Sequence, residues 1–195
     1  LEANTWVDWR LRALESSRDF EAFVAVEGAE HLDAVCDLGR GLVLVVTHVH
    51  WNALLTRLPS LRKRESFLVR QPKGLAFGAG PDAIVTERAE QLQAAARCLA
   101  RGGLVLIAGD EGHGRAAVER PFFGGTRRFR PGAATLAETT GAALVPVFSR
   151  LGEGGRIVLR FEGALDSSAE TPEARILERT ARYADLYVAA WPGIY

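Results

Sequence analysis

Apolar and polar positions fall along this chain in blocks that spell strand, helix, strand. Leu42-Val-Leu-Val-Val-Thr47 is apolar or β-branched throughout, and Gly41 opens it. Such a run reads as a strand buried on both faces of a parallel sheet. His48, His50 and Asn52 follow at its carboxyl end, and a helical pattern then runs to about Leu58. Leu104-Val-Leu-Ile-Ala108 is another buried run, and it delivers Gly109-Asp110-Glu111-Gly112-His113-Gly114-Arg115 at its carboxyl end. Ser66–Arg70 reads as a strand that ends on Arg70, and Ala83–Thr86 as a short strand. Ala143–Phe148 is a further strand whose Pro146 argues for an edge or an irregularity. Gly152–Gly155 reads as a hairpin turn, with Arg156–Phe161 pairing back.

Helical spacing appears between these runs. Residues 3–15 form an amphipathic pattern on Trp6, Trp9 and Ala13, and Phe20–Val26 is a second apolar segment. Glu27–Gly39 reads as a short helix closed by glycine. Glu87–Arg101 carries Leu92, Ala95, Ala96 and Leu99 on one face and stops at Gly102-Gly103. Pro131 suits the first turn of a helix over Gly132–Thr140, and Thr171–Ala190 is the last helix. Gly74–Pro81 is glycine-rich loop, and Arg120–Gly132 reads as a basic, aromatic loop. Strands alternating with helices predict an α/β fold, a mostly parallel central sheet with helices on both faces. The expected organisation is one domain over 1–195, with a helical amino-terminal segment at 1–38 and an α/β core at 39–195.

Composition narrows the picture. At 195 residues, with 48% hydrophobic and 25% charged residues, the chain can bury a real core. Zero net charge gives no reason to expect a nucleic-acid partner. All of the 24 basic residues except Lys63 and Lys73 are arginine, the side chain that grips carboxylate or phosphate through a planar fork. Cys36 and Cys98 sit in helical patterns beside apolar residues and read as small buried hydrophobes rather than a disulfide. No stretch reaches the roughly 18 apolar residues of a spanning helix.

In open α/β sheets, ligands bind outside the carboxyl ends of the strands. His48 stands at such an end. Histidine titrates near neutrality and can take a proton from a hydroxyl that attacks an acyl carbonyl. Arg70, Asp110 and Arg115 could converge on it from neighbouring strand ends, the arginines holding phosphate or an oxyanion. A metal reading competes: Thr47-His48-Val-His50-Trp-Asn52-Ala53 is similar to the Thr-His-x-His-x-Asp-His signature of metallo-β-lactamase-like hydrolases. Asn52 and Ala53 stand where that signature places ligands, and neither an amide nor a methyl group suits zinc. No metal is therefore expected, and a metal-dependent hydrolase is the lesser alternative.

The order of motifs carries a resemblance. Glu27-Gly28 and His31-Leu32 precede the Gly41–His48 strand, the strand ending on Arg70, and the helix-Gly102-Gly103-strand-Gly109-Asp110 unit. Pro121-Phe122-Phe123-Gly124, Pro131-Gly132-Ala-Ala-Thr-Leu136-Ala137 and Thr140-Gly141-Ala142-Ala-Leu-Val-Pro146-Val-Phe148 then follow. This resembles the lipid A biosynthesis lauroyl/myristoyl acyltransferase family, lysophospholipid acyltransferase-like proteins whose relatives acylate phosphatidylinositol mannosides. The resemblance implies a glycerolipid acyltransferase-like fold at the cytoplasmic face of the bacterial inner membrane, peripheral or anchored by a segment absent here. It implies transfer of a fatty acyl chain from an acyl carrier protein or coenzyme A thioester to a glycolipid hydroxyl, with the thioester as co-substrate and no cofactor. It also implies a His-x4-Asp/Glu dyad. His48 matches the histidine, but residue 53 is alanine. Three readings follow: Asp110 or Glu111 supplies the carboxylate from the next strand end, His48 acts alone and slowly, or the chain is a catalytically impaired lipid-binding homologue. By the same resemblance Arg70 and Arg115 would hold substrate phosphate or an oxyanion, Arg127, Arg128 and Arg130 would hold anionic headgroups or solvate the loop, and Phe122 and Phe123 would wall an acyl channel or pack the core.

Overall fold

The computed structural model describes residues 20–69, 81–110 and 118–191. Helix α1 (Phe20–Phe23) leads into β1 (Val24–Glu27), α2 (Ala29–Cys36) and β2 (Leu42–Val46). A 3₁₀ helix (His50–Arg57), β3 (Ser66–Leu68), α3 (Pro81–Ala100) and β4 (Leu104–Ala108) follow. Next come β5 (Val118–Phe122), β6 (Gly125–Phe129), α4 (Gly132–Thr140) and β7 (Ala143–Leu151). A short 3₁₀ turn (Glu153–Gly155), β8 (Ile157–Phe161) and α5 (Pro172–Ala190) complete the order.

Six strands form one sheet in the order β1-β8-β7-β2-β4-β3. Every neighbouring pair is parallel except β7 with β8, which the Gly152–Gly155 turn joins as an antiparallel hairpin. The α/β fold with a mostly parallel sheet and helices on both faces is therefore present. β2 lies at the centre with β4 on one side and β7 on the other. Its five residues are all buried, as an unbroken apolar run requires. Side chains alternate across the sheet. Leu42, Leu44 and Val46 pack with Leu32 and Val35 of α2 and with Leu54, Leu55 and Leu58. Val43 and Val45 face the other layer, with Ala95, Cys98 and Leu99 of α3, Leu136 of α4 and Tyr183, Ala184 and Tyr187 of α5. Each such leucine or valine stabilises the fold by about 1.5–3 kcal/mol relative to exposure.

Four sequence readings change. The amino-terminal segment to residue 38 is not wholly helical, because Val24–Glu27 forms β1 and pairs with β8. Four residues are too few for periodicity to separate strand from helix. Ala83–Thr86 lies inside α3, whose first turn takes Pro81, so the β-branched run Ile84-Val85-Thr86 is overruled by its context. Pro146 sits within central β7 rather than at an edge. Its ring lies just past the last β7–β8 rung, where Glu162 N–H donates to the Pro146 carbonyl at 3.0 Å and only the reciprocal bond is lost. The basic, aromatic loop is a second, two-stranded sheet, β5 with β6. Phe123 and Gly124 turn it with φ of 46° and 75°. Positive φ at both central positions matches strand twist, but at phenylalanine it costs about 1 kcal/mol.

Thr171 caps α5 by accepting from the Ala174 N–H at 3.2 Å. Cys98 is buried and unbridged, and burial pushes its thiol up, as expected of a small core hydrophobe. Among the described residues no helix is long and apolar enough to cross a membrane. The amphipathic 3–15 pattern and the Gly74–Gly80 part of the glycine-rich stretch lie outside the described residues.

Candidate active site

The site grows from register. β2 and β4 run parallel and side by side, with Val46 opposite Ala108 as the last paired residues. His48 lies two residues past Val46, and Asp110 lies two past Ala108. Parallel strands in register carry equivalent residues on the same face, so the two side chains leave the sheet together. Gly109 N–H donates to the Val46 carbonyl at 2.9 Å and prolongs that alignment by one step.

Asp110 then grips His48 twice. Oδ1 stands 2.5 Å from His48 Nδ1, and Oδ2 accepts the His48 backbone N–H at 3.0 Å. A carboxylate only accepts, so Nδ1 carries the hydrogen of this pair. The unequal burial of the partners is informative: Asp110 is 7% exposed, whereas the His48 side chain is 46% exposed. The carboxylate is buried behind an imidazole that solvent can reach. That is the arrangement of an oriented general base, in which the carboxylate fixes the tautomer and stabilises the imidazolium.

Neighbouring groups brace both members. Asn52 Nδ2 donates to the Thr47 carbonyl, and its Oδ1 accepts from the buried Ser149 hydroxyl at 3.2 Å. The position that a metallohydrolase would use for a ligand thus ties the peptide before His48 to β7. Beneath the pair, the Tyr183 hydroxyl donates to the Val46 carbonyl at 3.2 Å. Burial, and then the nearby Asp110 carboxylate, hold that phenol well above its ordinary value, so it remains a donor. A Cβ on Gly109 would stand 2.5 Å from both Tyr183 Cε1 and Val45 Cγ2, so only glycine lets β4 pass over this ring.

Arg127 of β6 donates from Nη2 to the Asp110 carbonyl at 2.7 Å and stands 3.8 Å from Asp110 Oδ2. Its guanidinium carbon lies 5.4 Å from the Phe122 ring centroid, 5.0 Å from that of Tyr187 and 6.0 Å from that of Trp191. Phe122 meets Phe123 edge-on at 4.8 Å, and Phe123 is 78% exposed at the hairpin tip. An aromatic wall therefore runs from the carboxylate to the surface.

The structure brings together His48, Asp110, Arg127, Phe122 and Phe123 of the residues singled out in the sequence. Arg70, Arg115, Glu111 and His113 lie outside the described residues. His31 is exposed on α2 beside Glu30, away from this strand end. Among the described residues no three His, Cys, Asp or Glu side chains gather as metal ligands. Asn52, Ser149 and Tyr183 were not foreseen as parts of the site. A recoverable signal existed for the dyad: Gly41-Leu-Val-Leu and Gly103-Leu-Val-Leu match residue for residue, and extending both by the same length reaches His48 and Asp110.

Known proteins share the family and the fold. Residues 80–195 match the model of the bacterial lipid A biosynthesis acyltransferases. The crystal structure of the 1-acyl-sn-glycerophosphate (LPA) acyltransferase PlsC from Thermotoga maritima is similar in fold. It has a TM-score of 0.52 and 17% identity, over 96% of this chain and 81% of that one. No curated protein matches the chain.

Proposed function

Since the chain belongs to the bacterial lipid A biosynthesis acyltransferase family, we propose that it transfers a fatty acyl group from a thioester to a glycolipid hydroxyl. The donor would be acyl carrier protein or coenzyme A. The acceptor would be a lipid A precursor or a phosphatidylinositol mannoside, presented at the cytoplasmic membrane surface. The observation that carries this reading is the 2.5 Å contact between His48 Nδ1 and Asp110 Oδ1.

The steps follow from that contact. With Nδ1 engaged by Asp110, proton transfer falls to Nε2. Nε2 takes the proton of the acceptor hydroxyl as its oxygen attacks the thioester carbonyl carbon. Asp110 stabilises the imidazolium that forms. The tetrahedral intermediate collapses, the C–S bond breaks, and the leaving thiolate takes the proton back from Nε2. Ester and thiol are the products, and no cofactor is consumed. Arg70 and Arg115 are proposed to hold phosphate or the oxyanion. Phe122 and Phe123 are proposed to line the path of the acyl chain, which suits an exposed aromatic held at an unfavourable φ.

Ala53 alone would favour a noncatalytic lipid-binding homologue; the Asp110 contact supports catalysis instead. His48→Ala tests the proposal. With an acyl thioester and a glycolipid acceptor, turnover should fall by about 10²–10⁴-fold. Transfer at the wild-type rate would refute it.

A further inference from the structure

We propose that Arg127 is a positioning residue for Asp110 and not a ligand of the substrate headgroup. This inference rests on the acyl-transfer reading above.

Strand alternation puts Arg128 on the opposite face from Arg127, whereas Arg120, directly across the hairpin from Arg127, shares its face but reaches α5 instead. Arg128 pairs with Glu119 at 2.7 Å, and Arg120 pairs with Asp185 of α5 at 2.5 Å. These are exposed ion pairs of the kind that contributes little. Arg127 shares its strand face with the fully buried Phe129 and so turns inward. There it meets Asp110 rather than a carboxylate on its own hairpin.

The contact it makes is to the Asp110 main chain. The carbonyl held by Nη2 at 2.7 Å belongs to the residue whose side chain holds His48. Asp110 is thereby held by three contacts: the preceding residue through Gly109 N–H on the Val46 carbonyl, the carboxylate through His48, and the carbonyl through Arg127. Arg127 Nε is buried without a hydrogen bond, so the Nη2 contact does not set its pose alone. Three aromatic faces, Phe122, Tyr187 and Trp191, also set it. A headgroup ligand would aim its guanidinium at the cleft, whereas here Nη2 is engaged by the Asp110 carbonyl and Nε is buried. The guanidinium's planar geometry suits the combination of stacked rings and a carbonyl in a way that a lysine ammonium does not.

The test separates positioning from binding. Arg127→Ala should lower kcat by roughly 10–100-fold, the scale of a misplaced catalytic group. KM for both donor and acceptor should stay within about threefold. Added guanidinium ion should restore part of the lost kcat. A raised KM for the anionic acceptor with kcat retained would overturn the inference, as would an unchanged kcat. If Arg127→Ala does not fold, Arg127→Lys decides. Positioning predicts a lowered kcat at unchanged KM, whereas headgroup binding predicts retained kcat, since lysine serves phosphate well. The parent reading is judged separately by His48→Ala. Loss of transfer there alongside normal kcat in the Arg127 variants would sink only this inference.

Discussion

Asp110→Asn is the sharpest perturbation of this site, because it changes one atom's chemistry and almost no volume. The amide oxygen can still accept the His48 backbone N–H now bound at 3.0 Å, so the strand ends should stay in register. Two things are lost. The first is the attraction between carboxylate and imidazolium. With Oδ1 2.5 Å from Nδ1, the two charge centres lie roughly 4 Å apart, worth about 4 kcal/mol at an effective dielectric of 20. At 1.36 kcal/mol per decade that is about 10³ in rate. The second is the tautomer. The amide NH₂ would donate to Nδ1 and drive the ring hydrogen to Nε2, the atom proposed to accept the proton. An amide in the equivalent place of a Ser-His-Asp triad costs about 10⁴. The expected fall in kcat is therefore about 10³–10⁴-fold, read by single-turnover transfer from an acyl thioester. Circular dichroism and a thermal melt should report a folded chain. A variant within tenfold of wild-type kcat would refute the assignment of Asp110 as the partner of His48.

Further outcomes follow from the same geometry and from the helix contacts behind it. Ala53→Glu, which rebuilds the familiar His-x4-Glu spacing, should leave transfer within about threefold of wild type, because His48 Nδ1 already has its carboxylate; a rise of two decades would show a decayed site instead. Glu138 of α4 receives Arg175 at 2.7 Å and Arg179 at 2.9 Å from α5, and the Arg175 hydrogen bond holds its carboxyl below the ordinary 4.5. A depressed carboxylate stabilises the fold above its unfolded value, and that contribution is lost as pH falls through the folded one. Glu138→Gln should accordingly lower Tm at neutral pH, and the gap from wild type should close in acid below pH 4.5; a gap independent of pH would exclude the ion pair as its cause.

Much of the fold was legible because its central strands are apolar on both faces. Leu42–Val46 and Leu104–Ala108 are short β-branched and leucine runs, each opened by glycine, that read as buried strands, and Gly102-Gly103 marks the stop of α3. What escaped was pairing that local periodicity does not encode. β1 is four residues long. The β5–β6 hairpin hid because its turn is Phe123-Gly124 rather than Asn-Gly, and because Arg127 and Arg128 break a simple apolar alternation. Much of the arginine richness is now accounted for by structure. Arg64 donates to the carbonyls of Cys36, Arg40 and Gly102, and Arg101, Arg150, Arg160 and Arg175 all answer to carboxylates. None of these is a substrate group, which is why a count of arginines could not locate a phosphate site.

The site itself was half legible, and the missing half shows what a spacing motif does and does not require. A general base needs an acceptor at Nδ1; it does not need that acceptor five residues further along the same chain. Here the 3₁₀ helix after His48 carries alanine at position 53, and the acceptor comes from 62 residues away. The proposed site needs no carboxylate at position 53, because β2 and β4 are parallel and in register, so residues at equal distance past their ends are neighbours. The same sheet that buries the core brings the carboxylate to the imidazole. An insertion or deletion of one residue between Ala108 and Asp110 would turn that carboxylate to the opposite face. The integrity of the dyad in this chain therefore depends on sheet register and on Gly109 passing over Tyr183, not on any motif around His48.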